Sequence, residues 1–330
     1  MTVVPGSIPR IILSSAIKIA SLVKTSKNQR ILFLLLKLLI AAAVAIIIYL
    51  QLQGVTQDQW DNFGLKSPLF LILAVVLVYP NMYVAYLKWK LILNTMDLKD
   101  KDKAVQSFFA GLVAGILTPN MAGNFLGRMM YYKRLYRVRL IILTVIGNYA
   151  QLLATVGLGI IAVVVLDTDM LPGNRWGWIA FLGSGVFFSF ALYYLLAWFL
   201  KITRRWQKRR KNRTLEILKE YPFIRTKLLG WALVRFVIFS LQFCCMLIAF
   251  GEEPSITMLL AIWQVYFYTM LVPGFVLGKL GVKEMVALPI LTAIEMNEFS
   301  IIFASLLIWF INTLSPALLG LIIFKRPQVK

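Results

Sequence analysis

Histidine is absent from this chain of 330 residues. That excludes zincin-type metalloproteases, Ser-His hydrolases, rhomboid-like dyads, His-dependent acyltransferases and haem ligation. Cysteine is almost absent. Cys244 and Cys245 are neighbours inside an apolar run, where they read as core- or lipid-facing filler rather than a disulfide framework. Acidic residues are scarce too: 14 against 35 Lys and Arg, for a net charge of +21. What fills the chain is apolar, 60% hydrophobic and 15% charged, with a mean hydropathy of +0.79. A soluble domain sits near ~45–50% apolar and ~25% charged, so a soluble globular protein is excluded. In so apolar a chain the basic excess is read through a membrane, and no nucleic-acid partner is expected.

A helix crossing the hydrocarbon core needs roughly 20 apolar residues. Six runs meet that length: Ile31–Leu52, Pro68–Tyr86, Leu140–Leu166, Trp176–Leu200, Leu228–Phe250 and Phe299–Phe324. Two other apolar regions are interrupted. Ala104–Tyr132 is broken by Thr118-Pro-Asn-Met-Ala-Gly-Asn124, and Ser255–Ile294 by Pro273, Gly274, Gly278 and Gly281. The limbs Ala104–Leu117 and Met121–Tyr131 would reach only ~21 and ~16 Å at 1.5 Å per residue, too short to cross.

Lys and Arg mark the cytoplasmic side. Five precede Ile31, five lie in Lys88–Lys103, four in Lys133–Arg139, eleven in Lys201–Lys227 and three after Phe324, 28 of the 35 in all. The connectors carrying Asp58 and Asp61, Glu252 and Glu253, and Glu295 and Glu298 fall on the other side. Both termini are then cytoplasmic, in a bacterial inner (plasma) membrane. The first broken region enters and leaves from inside, and the second from outside. The expected fold is therefore an all-α polytopic membrane protein with about six full spans and two re-entrant hairpins, arranged as an inverted repeat. The alternative is that the limb Ser255–Val272 crosses fully, giving eight crossings with the same termini. The repeats would run 31–166, with hairpin 104–132, and 176–325, with the basic loop 201–227 and hairpin 255–294. Residues 1–30 form a cytoplasmic segment in which Arg10, Ser14, Lys18, Ser21 and Thr25 recur at helical spacing, an amphipathic helix on the inner leaflet. The basic run 204–213 is a solvated loop that fixes topology and meets anionic headgroups. No soluble segment is longer than this loop, so activity is expected within the membrane-embedded part.

A Lys or Arg at a helix centre costs about 2.5–3.5 kcal/mol on insertion scales and tends to face a cavity. Lys37, Arg128, Arg235, Lys279 and Lys283 are left over from the loops, with one acid, Glu284. Lys37 can snorkel to the surface, and Arg235 fits snorkelling and function equally. Arg128 follows the break at Pro119–Asn124 (Pro119, Asn120, Gly123, Asn124) by one turn. Lys279 and Lys283-Glu284 follow the glycine-punctuated tip of the second. Helix ends with a nearby cation suit an anion such as a phosphate, with Glu284 as a counter-ion. A structural ion pair pinning one hairpin is the plainer reading. Asn148, Gln151, Gln242, Gln264 and Asn312 are further polar groups at membrane depth.

Gly278-Lys-Leu-Gly-Val-Lys-Glu284 resembles the Gly-x-Leu-Gly-Val-Arg-Glu signature of the lysylphosphatidylglycerol synthase transmembrane-region family, flippase-like membrane proteins. Thr118-Pro-Asn-Met-Ala-Gly-Asn-Phe-Leu-Gly-Arg128 is similar to the family's Pro-x-x-x-Gly-Glu…Arg element, with Asn124 where Glu is usual. The resemblance implies a polytopic domain that moves or handles lipid headgroups. Without the soluble synthase domain, lysyl transfer is not expected, and Asn124 removes a carboxylate from the first hairpin.

The leading expectation is a non-enzymatic lipid translocase. An anionic phospholipid or polyprenyl-phosphate headgroup would be held between the hairpins by Arg128, Lys279, Lys283 and Glu284, with Asn120, Asn124 and Arg235 contributing. No cofactor or metal is expected. An intramembrane transferase for lipid-linked substrates is the alternative, although the spacing of Asp58 and Asp61 does not match Asp-x-Asp. A third reading is a non-catalytic partner of an envelope-synthesis enzyme.

Overall fold

Proline positions explain where the long helices of this chain bend. Pro80 has no N–H, and its ring opposes the carbonyl four residues back, at Val76. The first helix described, α1 (Pro68–Val76), ends there, and α2 (Val78–Asn94) resumes after Leu77. The Leu77 N–H still donates to Leu73 O at 2.9 Å, so the two form one kinked stretch, Pro68–Asn94. Pro316 acts in the same way near the C-terminus. The helix α10 (Glu298–Trp309) passes into a π-helical turn, Phe310–Leu314, before α11 (Ser315–Ile323). A wide turn just upstream of a proline re-aims side chains inside an otherwise regular helix; here it carries Asn312.

The computed structural model describes residue 46 and residues 64–98, 100–116, 118, 123–166, 175–204, 223–272 and 281–323. Between α2 and α10 lie α3 (Lys101–Ile116), α4 (Gly123–Met129), α5 (Arg134–Val165), α6 (Arg175–Arg204), α7 (Ile224–Ala249), α8 (Ile256–Leu271) and α9 (Val282–Thr292). Among the described residues there is no strand. Five stretches are long and apolar enough to cross a membrane: Pro68–Asn94, Arg134–Val165, Trp176–Leu195, Ile224–Ala249 and Glu298–Ile323. The protein is an all-α integral membrane protein. The first expected span, Ile31–Leu52, lies outside the described residues apart from Ile46, as do the amphipathic segment, Lys37 and residues 205–222 of the basic loop, whose last residues, Arg225 and Lys227, belong to α7.

Both interrupted regions fold as two short limbs. α3 and α8 have 16 residues each, α4 has 7 and α9 has 11. At 1.5 Å per residue even the longest limb spans only ~24 Å, short of the ~30 Å core. The limbs of the first hairpin touch backbone to backbone. A Cβ on Gly123 would lie 2.1 Å from Ala114 O, and one on Gly127 would lie 2.3 Å from Ala110 O. As one position climbs by four the other falls by four, so α3 and α4 run antiparallel, with glycines allowing the approach.

Each hairpin's first limb packs on the span that closes the other half of the chain. α3 lies on α11 and α8 lies on α5. Glycines again permit the contact. A Cβ on Gly320 would sit 2.8 Å from Val113, and one on Gly159 would sit 2.4 Å from Phe267. Gln264 of α8 reinforces the second contact by donating from Nε2 to Ala162 O and Leu166 O at the end of α5 (3.1 and 2.8 Å). At the centre, α7 touches α1, α2, α5, α8 and α10. Phe181, Phe187 and Phe188 on α6 are exposed, as suits a helix facing lipid.

Candidate functional site: a cationic cavity beside the first hairpin

Thr118 starts α4. Its Oγ1 accepts from Gly123 N (2.6 Å) and donates to Gly115 O (3.0 Å). One turn later Arg128 leaves the hairpin toward α2. Its guanidinium carbon sits 5.0 Å from the Trp89 ring centroid and 5.2 Å from that of Phe108, within cation–π range of both. Trp89 is itself fixed, because Nε1 donates to Ser107 Oγ at 3.0 Å, and Ser107 donates to Ala104 O. The arginine is thus held by two aromatic rings while its buried Nε makes no hydrogen bond.

Arg128 faces a cavity of ≈ 50 Å³ with Lys88 and Trp89 of α2, Thr144 and Asn148 of α5, and Arg235 of α7. Among the described residues that line it there is no Asp or Glu. Lys88 is 8% exposed and donates to Gln151 Oε1 at 3.3 Å; Gln151 Nε2 donates in turn to Ala232 O. Arg235 Nε donates to Asn81 Oδ1 at 3.0 Å. From there a polar chain runs across the bundle. Asn81 Nδ2 donates to Asn312 Oδ1 (2.7 Å), Asn312 Nδ2 to Gln242 Oε1 (2.7 Å), and Gln242 Nε2 to Ala74 O (2.8 Å). The π turn before Pro316 lets Asn312 bridge α2 and α7, and the chain holds Arg235 over the cavity rather than free to snorkel.

The structure therefore brings Arg128 and Arg235 together and adds Lys88, which hydropathy alone places in a loop. Its helical face could have revealed it. Asn81 and Lys88 are seven residues, about two turns, apart on α2, so the lone Asn and the lysine share one face. Asn81 itself was missed. Asn124 lies beside Arg128, its buried Oδ1 without a hydrogen bond. Both side chains cross over Gly111, where a Cβ would meet Arg128 Cγ at 2.7 Å and Asn124 Oδ1 at 2.9 Å. The mutation Gly111→Ala is accordingly expected to displace the guanidinium without altering charge. The melting temperature should fall only slightly, because the atoms a Cβ would meet belong to side chains rather than backbone.

The second hairpin is built differently. Gly281, with φ +83°, precedes α9, whose first turn carries Lys283 and Glu284. Lys283 Nζ lies 3.8 Å from the Phe243 ring centroid and 5.1 Å from that of Tyr266, with no hydrogen-bond partner. Glu284 is 1% exposed, and neither carboxylate oxygen makes a hydrogen bond of good geometry. The expected counter-ion pairing between them does not form. Adjacent helical residues point about 100° apart, so the lysine turns to the rings of α7 and α8 instead. Neither residue lines the cavity among the described residues. Pro119, Asn120, Pro273, Gly274, Gly278 and Lys279 lie outside the described residues, as do Asp58 and Asp61. No cluster of three His, Cys, Asp or Glu suited to a metal occurs among the described residues.

A family model described as the lysylphosphatidylglycerol synthase TM region matches residues 34–320. The chain belongs to this family. The matched stretch contains both hairpins and every described residue that lines the cavity. Comparison with curated proteins and with solved structures finds no match.

Proposed function

We propose that the protein is a translocase for lipids with anionic headgroups, and that the headgroup phosphate binds in the cavity between Lys88, Arg128 and Arg235. The observation that carries this reading is three cations from three different helices around one small space, without an acid among the described lining residues. Each would cost about 2.5–3.5 kcal/mol at membrane depth, and like charges repel one another. A structural role would call for a carboxylate to balance them. An anionic ligand supplies the missing charge.

In the orientation set by the basic loops, Arg235 lies 11 residues into α7 and Asn148 lies 14 into α5. Both are then ~16–21 Å from the cytoplasmic ends of their helices. The cavity then lies near the middle of a bacterial plasma membrane, with both termini cytoplasmic. The two hairpins are re-entrant from opposite faces and form an inverted repeat. Their reciprocal packing, α3 on α11 and α8 on α5, gives the two halves matching contacts that can exchange as access alternates.

The test is a reconstituted-vesicle assay that follows exposure of a labelled anionic lipid headgroup. Wild-type protein should move it faster than protein-free vesicles, and Arg235→Gln should slow it at least tenfold. Rates equal to those of empty vesicles would overturn the reading.

A further inference from the structure

The cavity's charge and size also narrow the ligand's chemistry. We infer that the group held there is a terminal phosphate, meaning a phosphomonoester or the outer phosphate of a diphosphate, rather than the diester phosphate of a capped headgroup. This rests on the reading of the cavity as an anion site and sharpens it.

Charge comes first. A phosphodiester carries one negative charge and would leave two of the three cations without compensation. A phosphomonoester carries about −1.5 to −2 at pH 7 and comes closest to balancing them. Donors follow the same count. The Arg128 Nε is buried against Gly111 without a hydrogen bond, so the donors it offers a ligand are the terminal nitrogens. Arg235 commits Nε to Asn81 and Lys88 makes one bond to Gln151, which leaves N–H groups from three directions for the oxygens of one anion. Thr144 donates its own hydroxyl hydrogen to Leu140 O at 2.6 Å, so the donors left for the ligand come from the cations and Asn148.

Size comes second. A water needs roughly 10–15 Å³ of cavity, so ≈ 50 Å³ holds about four oxygen-sized groups. That is room for the oxygens of one phosphate. A headgroup ammonium would also meet three cations and no carboxylate among the described lining. The site therefore disfavours headgroups that carry an ammonium by repulsion.

The experiment uses full-length wild-type protein in nanodiscs of a zwitterionic lipid, titrated separately with short-chain phosphatidic acid, short-chain phosphatidylglycerol and inorganic phosphate. Phosphatidic acid should bind at least tenfold more tightly than phosphatidylglycerol, and inorganic phosphate should compete with it at higher concentration. Equal affinity for the two lipids, with both lost in Arg128→Gln, would overturn the terminal-phosphate inference and keep the headgroup site. Inorganic phosphate binding as tightly as phosphatidic acid would keep the inference and move its source from lipid to free anion, against the translocase reading. Lipid binding indifferent to Arg128→Gln would overturn both.

Discussion

Replacing Arg128 with glutamine is expected to slow headgroup movement about 10- to 100-fold, because a hydrogen bond to a charged group contributes ~1.5–3 kcal/mol and 1.4 kcal/mol is a factor of ten. The same change should leave the melting temperature of the ligand-free protein unchanged or raise it. Arg128 stands among like charges with no acid among the described lining, so its removal relieves repulsion. A structural arginine would behave in the opposite way, since truncating one partner of an ion pair strands the other. Lysine at this position should recover only part of the rate. It keeps the charge but loses the planar fork and the fit between Trp89 and Phe108. The vesicle rate and a thermal melt of the three proteins check both halves of the expectation. Lost activity accompanied by a large fall in melting temperature for Arg128→Gln would return the residue to the scaffold.

Much of the architecture was legible in the sequence because hydrocarbon imposes simple rules on it. Apolar length alone located the long helices from Pro68 onward, and glycine and proline located both broken regions, down to the limbs α3, α4, α8 and α9. The site was less legible. Arg128 was recognised because it sits beside a break, but whether Arg235 snorkels or serves depended on Asn81, 154 residues away in sequence. Lys88 was missed because hydropathy stops at Tyr86 while the helix runs on to Asn94. A basic residue just past an apolar run looks like the start of a loop, although packing against α5 keeps it inside. The Lys283-Glu284 pair failed for a related reason. Neighbouring opposite charges suggest a salt bridge on paper, but helical geometry turns them apart, and the Phe243 and Tyr266 rings that receive the lysine belong to other helices.

The substitution with the largest effect on the fold is expected at Gly127, and it links the hairpin to the cavity. A Cβ there would lie 2.3 Å from Ala110 O and 3.0 Å from Ala114 Cβ. The first contact is with backbone, which cannot swing aside as a side-chain end would, so Gly127→Leu must part α3 from α4. Overpacking of this kind typically costs ~1–3 kcal/mol. Gly123, one turn earlier, is as close to Ala114 O and limits how far the limbs can shift to adapt. Arg128 is the next residue in the chain, so parting the limbs also withdraws its guanidinium from Trp89 and from the cavity. Both melting temperature and anion binding should therefore fall together, unlike Arg128→Gln, in which only binding falls. Gly230 provides the control: it lies on α7, where a Cβ would meet nothing within 4 Å, and Gly230→Leu should lower neither measurement. If Gly127→Leu melted and bound like wild type, the antiparallel contact would not be what sets Arg128 in place.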